Sequence, residues 1–154
     1  MANKVLVFDM DGTLNKFYEV EGWLEDLQNL NVRPYAVAEP KVDMEVLNIL
    51  LDAFRAHGWK IVVTTWLAKN STKEYDDAVR VVKREWLARY GFSFDEFHGV
   101  KYGTTKANCT RRHGGFQVLV DDNADIRKGW HMGDTINANE NIITALIDLL
   151  SKTL

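Results

Sequence analysis

The stretch K-V-L-V-F-D-M-D-G-T-L, residues 4–14, decides the fold of this chain. Its apolar run V-L-V-F is typical of a central strand in a parallel sheet, where both faces of the strand are covered. The run ends at Asp9, and a second acid, Asp11, follows two residues later, directly before Gly12. Gly12 indicates a turn, because a residue without Cβ adopts backbone conformations that other residues resist. The stretch therefore predicts two carboxylates at the carboxyl end of a buried strand.

The position of Asp9 and Asp11 indicates a functional site. Open α/β sheets bind ligands at the edge formed by the carboxyl ends of their strands. Aspartate is also common in turns, and a turn role would account for one of the two acids. It accounts poorly for both, because a buried charge is costly unless it is paired or bound to a metal. We therefore expect both carboxylates to take part in the chemistry or ligand binding of a functional site.

The motif D-M-D-G-T-L resembles the first signature of the haloacid dehalogenase superfamily, in which an apolar strand ends in D-x-D-G-T. The resemblance implies that Asp9 attacks a phosphoryl group and becomes an aspartyl phosphate. It implies that Asp11 protonates the leaving group and then activates water. An acid at Asp11 favours phosphate chemistry, since the true dehalogenases of the superfamily lack one there.

Composition and charge are those of one ordinary globular domain. The chain has 154 residues, of which 46% are hydrophobic and 27% charged, and its net charge is −3. This length supports one core, so we expect a single domain over residues 1–154. The negative charge gives no general attraction to nucleic acid or to an anionic membrane, and we expect neither as a partner. The oligomeric state is not indicated.

The location of the protein is predicted from what the sequence lacks. No apolar run approaches the length of a bilayer span, and the N-terminal residues do not have the pattern of a signal peptide. The single cysteine, Cys109, cannot form an intramolecular disulfide, which suits a reducing compartment. We expect a cytoplasmic protein.

Predicted strands and helices alternate along the rest of the chain. Strands are predicted at 60–64, 97–101, 117–121 and 135–137, and helices at 22–30, 43–57, 71–89, 105–113, 124–128 and from 139 onward. Asp43, the capping-box form Ser71-x-x-Glu74, and Asn139 are the predicted helix starts. This alternation predicts an α/β fold with a parallel sheet between two helical layers. The resemblance implies the three-layer, Rossmann-like α/β/α fold of the superfamily.

Residues 15–41 are the least regular part of the chain, and they contain both prolines and several aromatic residues. Two interpretations stay open. The segment is a flap or small lid over the end of the first strand, or it packs against the edge of the sheet. Capped members of the superfamily carry large inserts, whereas this insert is modest. The resemblance therefore implies a minimal cap, or none, and an open site.

The second motif is I-V-V-T-T-W, residues 61–66, an apolar strand that ends in Thr64 and Thr65. A hydroxyl at this position can donate a hydrogen bond to a phosphate oxygen. Threonine is also a normal strand residue, so the pattern alone is weak. The resemblance gives Thr64 the second-motif position, with Thr65 following it into the mouth of the site. Trp66 is a candidate for stacking on a base or sugar, or a packing residue.

The third motif is a lysine. Lys106, in G-T-T-K-A-N, lies at a predicted helix start, where its ammonium group could offset phosphoryl charge. The superfamily has a lysine shortly before its fourth motif, and Lys101 is a rival for that position. We favour Lys106, because the two threonines before it suit a helix start. We also expect the backbone amides of Gly12 and Thr13 to donate to the phosphate.

The fourth motif is V-L-V-D-D-N, residues 118–123, where another apolar strand runs into two acids. Adjacent carboxylates raise each other's pKa, and a divalent cation removes that difficulty. All candidate ligands are carboxylates, with no histidine or cysteine cluster among them, and such ligands select magnesium over zinc. We predict Asp121 as the first ligand of Mg²⁺, with Asp122 either a second ligand or a hydrogen-bonding neighbour. The resemblance adds Asp9 and the carbonyl of Asp11.

The four motifs occur in the order of the superfamily. Together they imply a magnesium-dependent phosphomonoester hydrolase with an aspartyl-phosphate intermediate and a small-molecule substrate. The second and fourth motifs look like those of the 5′(3′)-deoxyribonucleotidase branch, which suggests a nucleoside monophosphate. The alternatives are a phosphoacceptor module and a non-catalytic binding protein on the same scaffold. Receiver modules place their acidic pair first, whereas here it is last.

Overall fold

The computed structural model describes residues 3–154, so the first two residues of the predicted domain lie outside the described range. Within it, five parallel strands form one sheet. The strands are β1 (Lys4–Phe8), β2 (Trp59–Trp66), β3 (Glu96–Val100), β4 (Phe116–Asp121) and β5 (Thr135–Asn137), in the order β3-β2-β1-β4-β5. The strand predicted from the opening stretch is central: Phe8 lies opposite Val63 on one side and Val120 on the other.

Helices connect the strands, as the alternation predicted. Among residues 3–154 they are α1 (Trp23–Gln28), α2 (Arg33–Val37), α3 (Met44–Ala56), α4 (Lys73–Arg89), α5 (Ala124–Lys128) and α6 (Ile142–Lys152). Short 3₁₀ turns lie at Phe17–Glu19, Lys106–Cys109 and Arg111–His113. The last two replace the single helix predicted over 105–113. Two glycines with positive φ, Gly114 and Gly115, end this stretch before β4.

The two faces of the sheet are covered unequally. Alternate residues of β1 point to opposite faces, so Leu6 and Phe8 pack with buried residues of α3, α4 and α6. Val5 and Val7 pack on the other face against Ala107 and other buried residues that precede or follow β4. The predicted three-layer α/β/α arrangement is confirmed, with one thick helical layer and one thin layer.

Two predicted helix starts are wrong by one or two positions. Asp43 caps α3 as predicted, its side chain accepting from the backbone N–H of Val46. α4 is capped by Thr72 instead of Ser71, because the hydroxyl of Thr72 is the one that accepts from the first helical turn. α6 is capped by Asn141 instead of Asn139, whose side chain donates to the carbonyl of Asp122.

None of the helices within residues 3–154 combines the length and the apolar composition that a bilayer span requires.

Glu96, the first residue of β3, joins this edge strand to the turns before β4. Its carboxylate contacts Nε2 of His98 at 2.9 Å and Nε2 of His113 at 2.6 Å, and it accepts from Arg112. Burial acts to raise the pKa of Glu96, but the hydrogen bonds from these three partners outweigh it and lower the pKa to about 2. A carboxyl group whose pKa is lowered by folding stabilises the folded state in its ionised form.

We therefore expect Glu96→Gln to lower the free energy of unfolding by about 1 kcal/mol at pH 7, a value reduced by solvent screening. The contribution of Glu96 is complete above its ordinary pKa of 4.5 and is lost as the pH falls towards about 2. Urea unfolding of both proteins across this pH range should show the difference shrinking with acidification. The exposed Glu85 of α4 provides a control, since Glu85→Gln should change the free energy of unfolding at pH 7 by less than about 0.5 kcal/mol. A difference for Glu96→Gln that stays constant with pH would contradict this assignment.

Candidate active site

The site lies where the topology of the sheet reverses. From β1 the chain proceeds to β2 and β3 on one side, and then crosses to β4 and β5 on the other. Crevices of this kind, outside the carboxyl ends of the strands, are the usual ligand sites of open α/β sheets. Asp9 directly follows β1, and its N–H donates to the carbonyl of Val120 at 2.9 Å. The first and fourth motifs are therefore neighbours.

Three carboxylates from these two motifs form a cluster. Asp9, Asp121 and Asp122 each offer one oxygen, and these oxygens lie within 4.8 Å of one another. Lys106 lies between two of the residues, its Nζ donating to Oδ1 of Asp9 at 2.7 Å and to Oδ2 of Asp121 at 2.9 Å. Of the two lysines considered, Lys106 is the one that the structure brings to the carboxylates. Lys101 is exposed in the turn after β3.

The pKa values of the cluster indicate an excess of negative charge. Burial and the charge of Asp9 raise the pKa of Asp122 to about 7, and they also raise that of Asp121. Burial opposes ionisation of Asp9 as well, but the charge and hydrogen bond of Lys106 outweigh it and lower the pKa of Asp9. One ammonium group therefore balances three carboxylates only in part. The donor set, three closely spaced carboxylate oxygens, fits a hard divalent cation.

Asp11 lies outside this cluster and has partners of its own. Its Oδ2 accepts from Nζ of Lys83 at 3.0 Å, and its Oδ1 accepts from Nδ2 of Asn15 at 3.2 Å. Neither Lys83 nor Asn15 was predicted from the sequence as a site residue. Lys83 could have been found from its spacing, because Val79, Lys83 and Trp86 share one face of α4 and the other two are fully buried. Asn15 gave a weaker signal, since an asparagine after a glycine turn is common.

The two threonines of the second motif point in opposite directions, because β2 continues past them to Trp66. Thr65 lines the cavity in front of the carboxylates, and its Oγ1 accepts from Nζ of Lys83 at 2.6 Å. Thr64 is fully buried, and its hydroxyl has no hydrogen-bond partner among residues 3–154.

The turn after β1 is tightly built around Gly12. Its φ of +81° is in the left-handed region, and a Cβ at this position would lie 2.5 Å from Oδ2 of Asp122. The N–H of Gly12 donates to the backbone carbonyl of Asn15, and the N–H of Thr13 donates to that of Met10. Both amides that we expected to donate to a phosphate are therefore engaged within the turn, and their donation to a phosphate stays a prediction. The side chain of Thr13 instead donates to Oδ2 of Asp9 at 2.8 Å.

A cavity of about 630 Å³ opens in front of the carboxylates. Two groups of aromatic residues line it: the first is Phe17, Tyr18, Trp23 and Tyr35, and the second is Trp66 and Tyr102. The first group belongs to the irregular segment 15–41. This segment is thus a wall of the cavity.

The same segment is also attached to α4. The carbonyl of Ala38 accepts from Nε1 of Trp86 at 2.8 Å, and the carbonyl of Asn31 accepts from the hydroxyl of Tyr75 at 2.9 Å. Residues 31–38 are therefore packed on α4, whereas the second interpretation placed the segment against the edge of the sheet. α1 carries no buried residue. Movement of the segment over a ligand stays a prediction.

Comparison with protein-family models and with curated proteins found no match. Among solved structures, the chain is similar to a D,D-heptose 1,7-bisphosphate phosphatase from Burkholderia thailandensis, with a TM-score of 0.55 and 12% sequence identity. The similarity covers 97% of this chain and 99% of that chain. At this identity the likeness shows a shared fold over nearly the full length of both chains.

The geometry at Gly12 predicts the result of adding a single methyl group. Gly58 is the control position, because it has a similar φ of +87° but no atom lies within 4 Å of a Cβ added there. Gly58→Ala therefore measures the cost of backbone strain alone, about 1 kcal/mol. We expect Gly12→Ala to lower the free energy of unfolding by at least about 2 kcal/mol, because it adds a clash with Asp122. Urea unfolding of the two variants measures the difference. Equal losses would contradict the close approach of Gly12 and Asp122.

Proposed function

We propose that this protein is a magnesium-dependent phosphomonoester hydrolase of the haloacid dehalogenase type. The observation that carries the proposal is the state of Asp9, a buried carboxylate that lines the cavity and whose pKa is lowered. Its two oxygens accept from Lys106 and Thr13, so it is ionised and oriented before any substrate arrives. The shared fold supports the proposal, since the Burkholderia protein is named as a phosphatase.

The proposed reaction has two steps. An oxygen of Asp9 attacks phosphorus, the bond from phosphorus to the ester oxygen breaks, and Asp11 gives its proton to the leaving oxygen. Asp11 then takes a proton from water, the water oxygen attacks phosphorus, and the bond to Asp9 breaks to release inorganic phosphate. Division of the reaction in this way replaces one difficult step by two easier ones. Acid–base assistance of this type contributes roughly 10²–10⁴-fold.

The same set of residues would hold the phosphoryl group. Lys106 and the hydroxyl of Thr65 face the space in front of Asp9, and they would stabilise the charge that develops on the phosphoryl oxygens. The unpartnered hydroxyl of Thr64 is a further candidate donor. Asp9, Asp121 and Asp122, with the carbonyl of Asp11 by resemblance, would hold Mg²⁺. The ion would reduce the repulsion between a carboxylate and an anionic phosphate.

The first test is phosphate release from p-nitrophenyl phosphate and from a panel of nucleoside monophosphates and sugar phosphates. We expect release that requires magnesium, is lost with a chelator, and falls to background in Asp9→Asn. Asp11→Asn should lose about 10²–10⁴-fold. Asp125, an exposed acid in the first turn of α5, offers a matched control, and Asp125→Asn should retain wild-type activity.

The alternative functions predict other outcomes. A folded protein that binds magnesium but releases no phosphate from any ester would overturn the hydrolase proposal and favour a binding protein. A stable phosphorylated Asp9 that is not hydrolysed would favour a phosphoacceptor module.

For the substrate, we propose a nucleoside monophosphate. The aromatic residues that line the cavity support this choice, because flat rings stack well on a nucleobase. Tyr18 and Tyr102 are the most suitable of them, since each is about half exposed, at 55% and 51%, whereas Phe17 and Tyr35 are buried and stacked on each other. The volume of about 630 Å³ is within the usual range for small-molecule sites.

We expect Tyr18→Leu or Tyr102→Leu to raise KM for the best nucleoside monophosphate about 5–100-fold, the equivalent of one stacked base. The competitive inhibition constant of inorganic phosphate should change less than twofold, since phosphate has no ring to stack. Steady-state kinetics with both ligands gives the comparison. If sugar phosphates are hydrolysed better than nucleotides, or if both variants leave KM unchanged, the nucleotide proposal is wrong.

A further inference from the structure

Lys83 is a buried cation that the reaction described above does not use. It lies on α4 and is fully buried. Its ammonium group donates to Oδ2 of Asp11 at 3.0 Å, to Oγ1 of Thr65 at 2.6 Å and to the carbonyl of Trp66 at 3.1 Å. It also lies 5.0 Å from the centre of the Tyr35 ring. Each of its three N–H groups therefore has an acceptor, which is the full hydrogen-bonding capacity of a lysine.

Stability alone is a poor explanation for this arrangement. A buried ion pair often contributes nothing over well-packed apolar residues of similar volume, because both charges lose their hydration. The neighbouring positions on the inward face of α4, Val79 and Trp86, are apolar or nearly so and fully buried. A lysine at the position between them is therefore better explained by what it contacts.

Lys83 contacts two residues that line the cavity. Asp11 and Thr65 both line the cavity, whereas Lys83 lies behind them with no exposed surface. A substrate in the cavity would touch Asp11 and Thr65 but not Lys83. Any influence of Lys83 on the reaction must then pass through these two side chains.

We propose that Lys83 is a positioning residue that orients Asp11 for proton transfer to the leaving group. The inference rests on the proposed hydrolase function and deepens it. Lys83 donates to Oδ2 of Asp11 and Asn15 donates to Oδ1, so a hydrogen bond fixes each oxygen of the carboxyl group. Because Oγ1 of Thr65 accepts from the same ammonium group, its own hydrogen is directed elsewhere and is available to a phosphoryl oxygen.

This role predicts a dependence on the leaving group. Phenyl phosphate and p-nitrophenyl phosphate have similar size, but phenolate is the poorer leaving group and depends more on a proton from Asp11. The value of kcat/KM reports all steps up to departure of the leaving group, so it is the quantity to compare. A general loss of folded or active protein lowers kcat/KM for both esters by the same factor and leaves their ratio unchanged.

We expect Lys83→Met to lower kcat/KM about 30-fold for phenyl phosphate, which is the scale of loss from a misplaced catalytic group. For p-nitrophenyl phosphate the loss should be less than about fivefold. Asp11→Asn is the positive control and should change the ratio in the same direction by a larger factor. The double variant should have the ratio of Asp11→Asn alone, because Lys83 acts on the leaving group only through Asp11.

Trp86→Phe is the matched structural control. It removes the hydrogen bond that Trp86 donates to the carbonyl of Ala38. Trp86 lies on the same face of α4 as Lys83, but this hydrogen bond does not involve Asp11. It should lower stability without changing the ratio. If Lys83→Met does not fold, as judged by circular dichroism and thermal unfolding, Lys83→Gln replaces it in the same assay and should shift the ratio in the same direction.

The outcomes separate the two proposals. Suppose that the wild-type enzyme hydrolyses both esters and that Asp11→Asn changes the ratio of their kcat/KM values. If the Lys83 variants then have the wild-type ratio, the role of Lys83 is overturned and the hydrolase proposal stands. Wild-type protein that releases phosphate from neither ester, nor from any member of the substrate panel, would overturn both.

Discussion

The contact on which the site depends is the bridge from Lys106 to Asp9 and Asp121. Three carboxylates at the ends of two adjacent buried strands would repel one another and would resist ionisation. The ammonium group between them lowers the pKa of Asp9 against the effect of burial, and it leaves the pKa of Asp122 raised to about 7. The cluster is therefore compatible with the folded state and still has affinity for further positive charge.

The topology of the sheet explains why these residues meet. Asp9 and Asp121 are far apart in sequence, but Asp9 follows β1 and Asp121 ends β4, and these strands are direct neighbours. Parallel pairing brings their carboxyl ends to the same edge, and the reversal of strand order between β1 and β4 leaves a crevice there. Segment 15–41 and the loops after β2 and β3 then provide the walls of the cavity.

The parts of this structure that could be predicted from the sequence are those set by local pattern. The run V-L-V-F before Asp9 predicted a central strand, and V-L-V before Asp121 predicted its neighbour, because strands covered on both faces are continuously apolar. The parts that could not be predicted depend on contacts over long separations. The inward position of Lys83 could be predicted from its spacing on α4, but its pairing with Asp11, 72 residues away, could not. The cap of α4 was missed for a different reason, since Ser71 and Thr72 are both good caps and only the backbone decides between them.

The two acids of the opening stretch are only two residues apart, and in an extended strand they would point the same way. The turn prevents this, because the N–H groups of Thr13 and Leu14 both donate to the carbonyl of Met10 and draw the chain back directly after Asp9. Asp9 then meets Lys106, next to Ala107 in the thin layer, whereas Asp11 meets Lys83 from the thick helical layer. Each acid has its own lysine, and the two lysines approach from opposite faces of the sheet. Two identical side chains can thus have different surroundings within one short motif, which is what a reaction with one nucleophile and one proton donor requires.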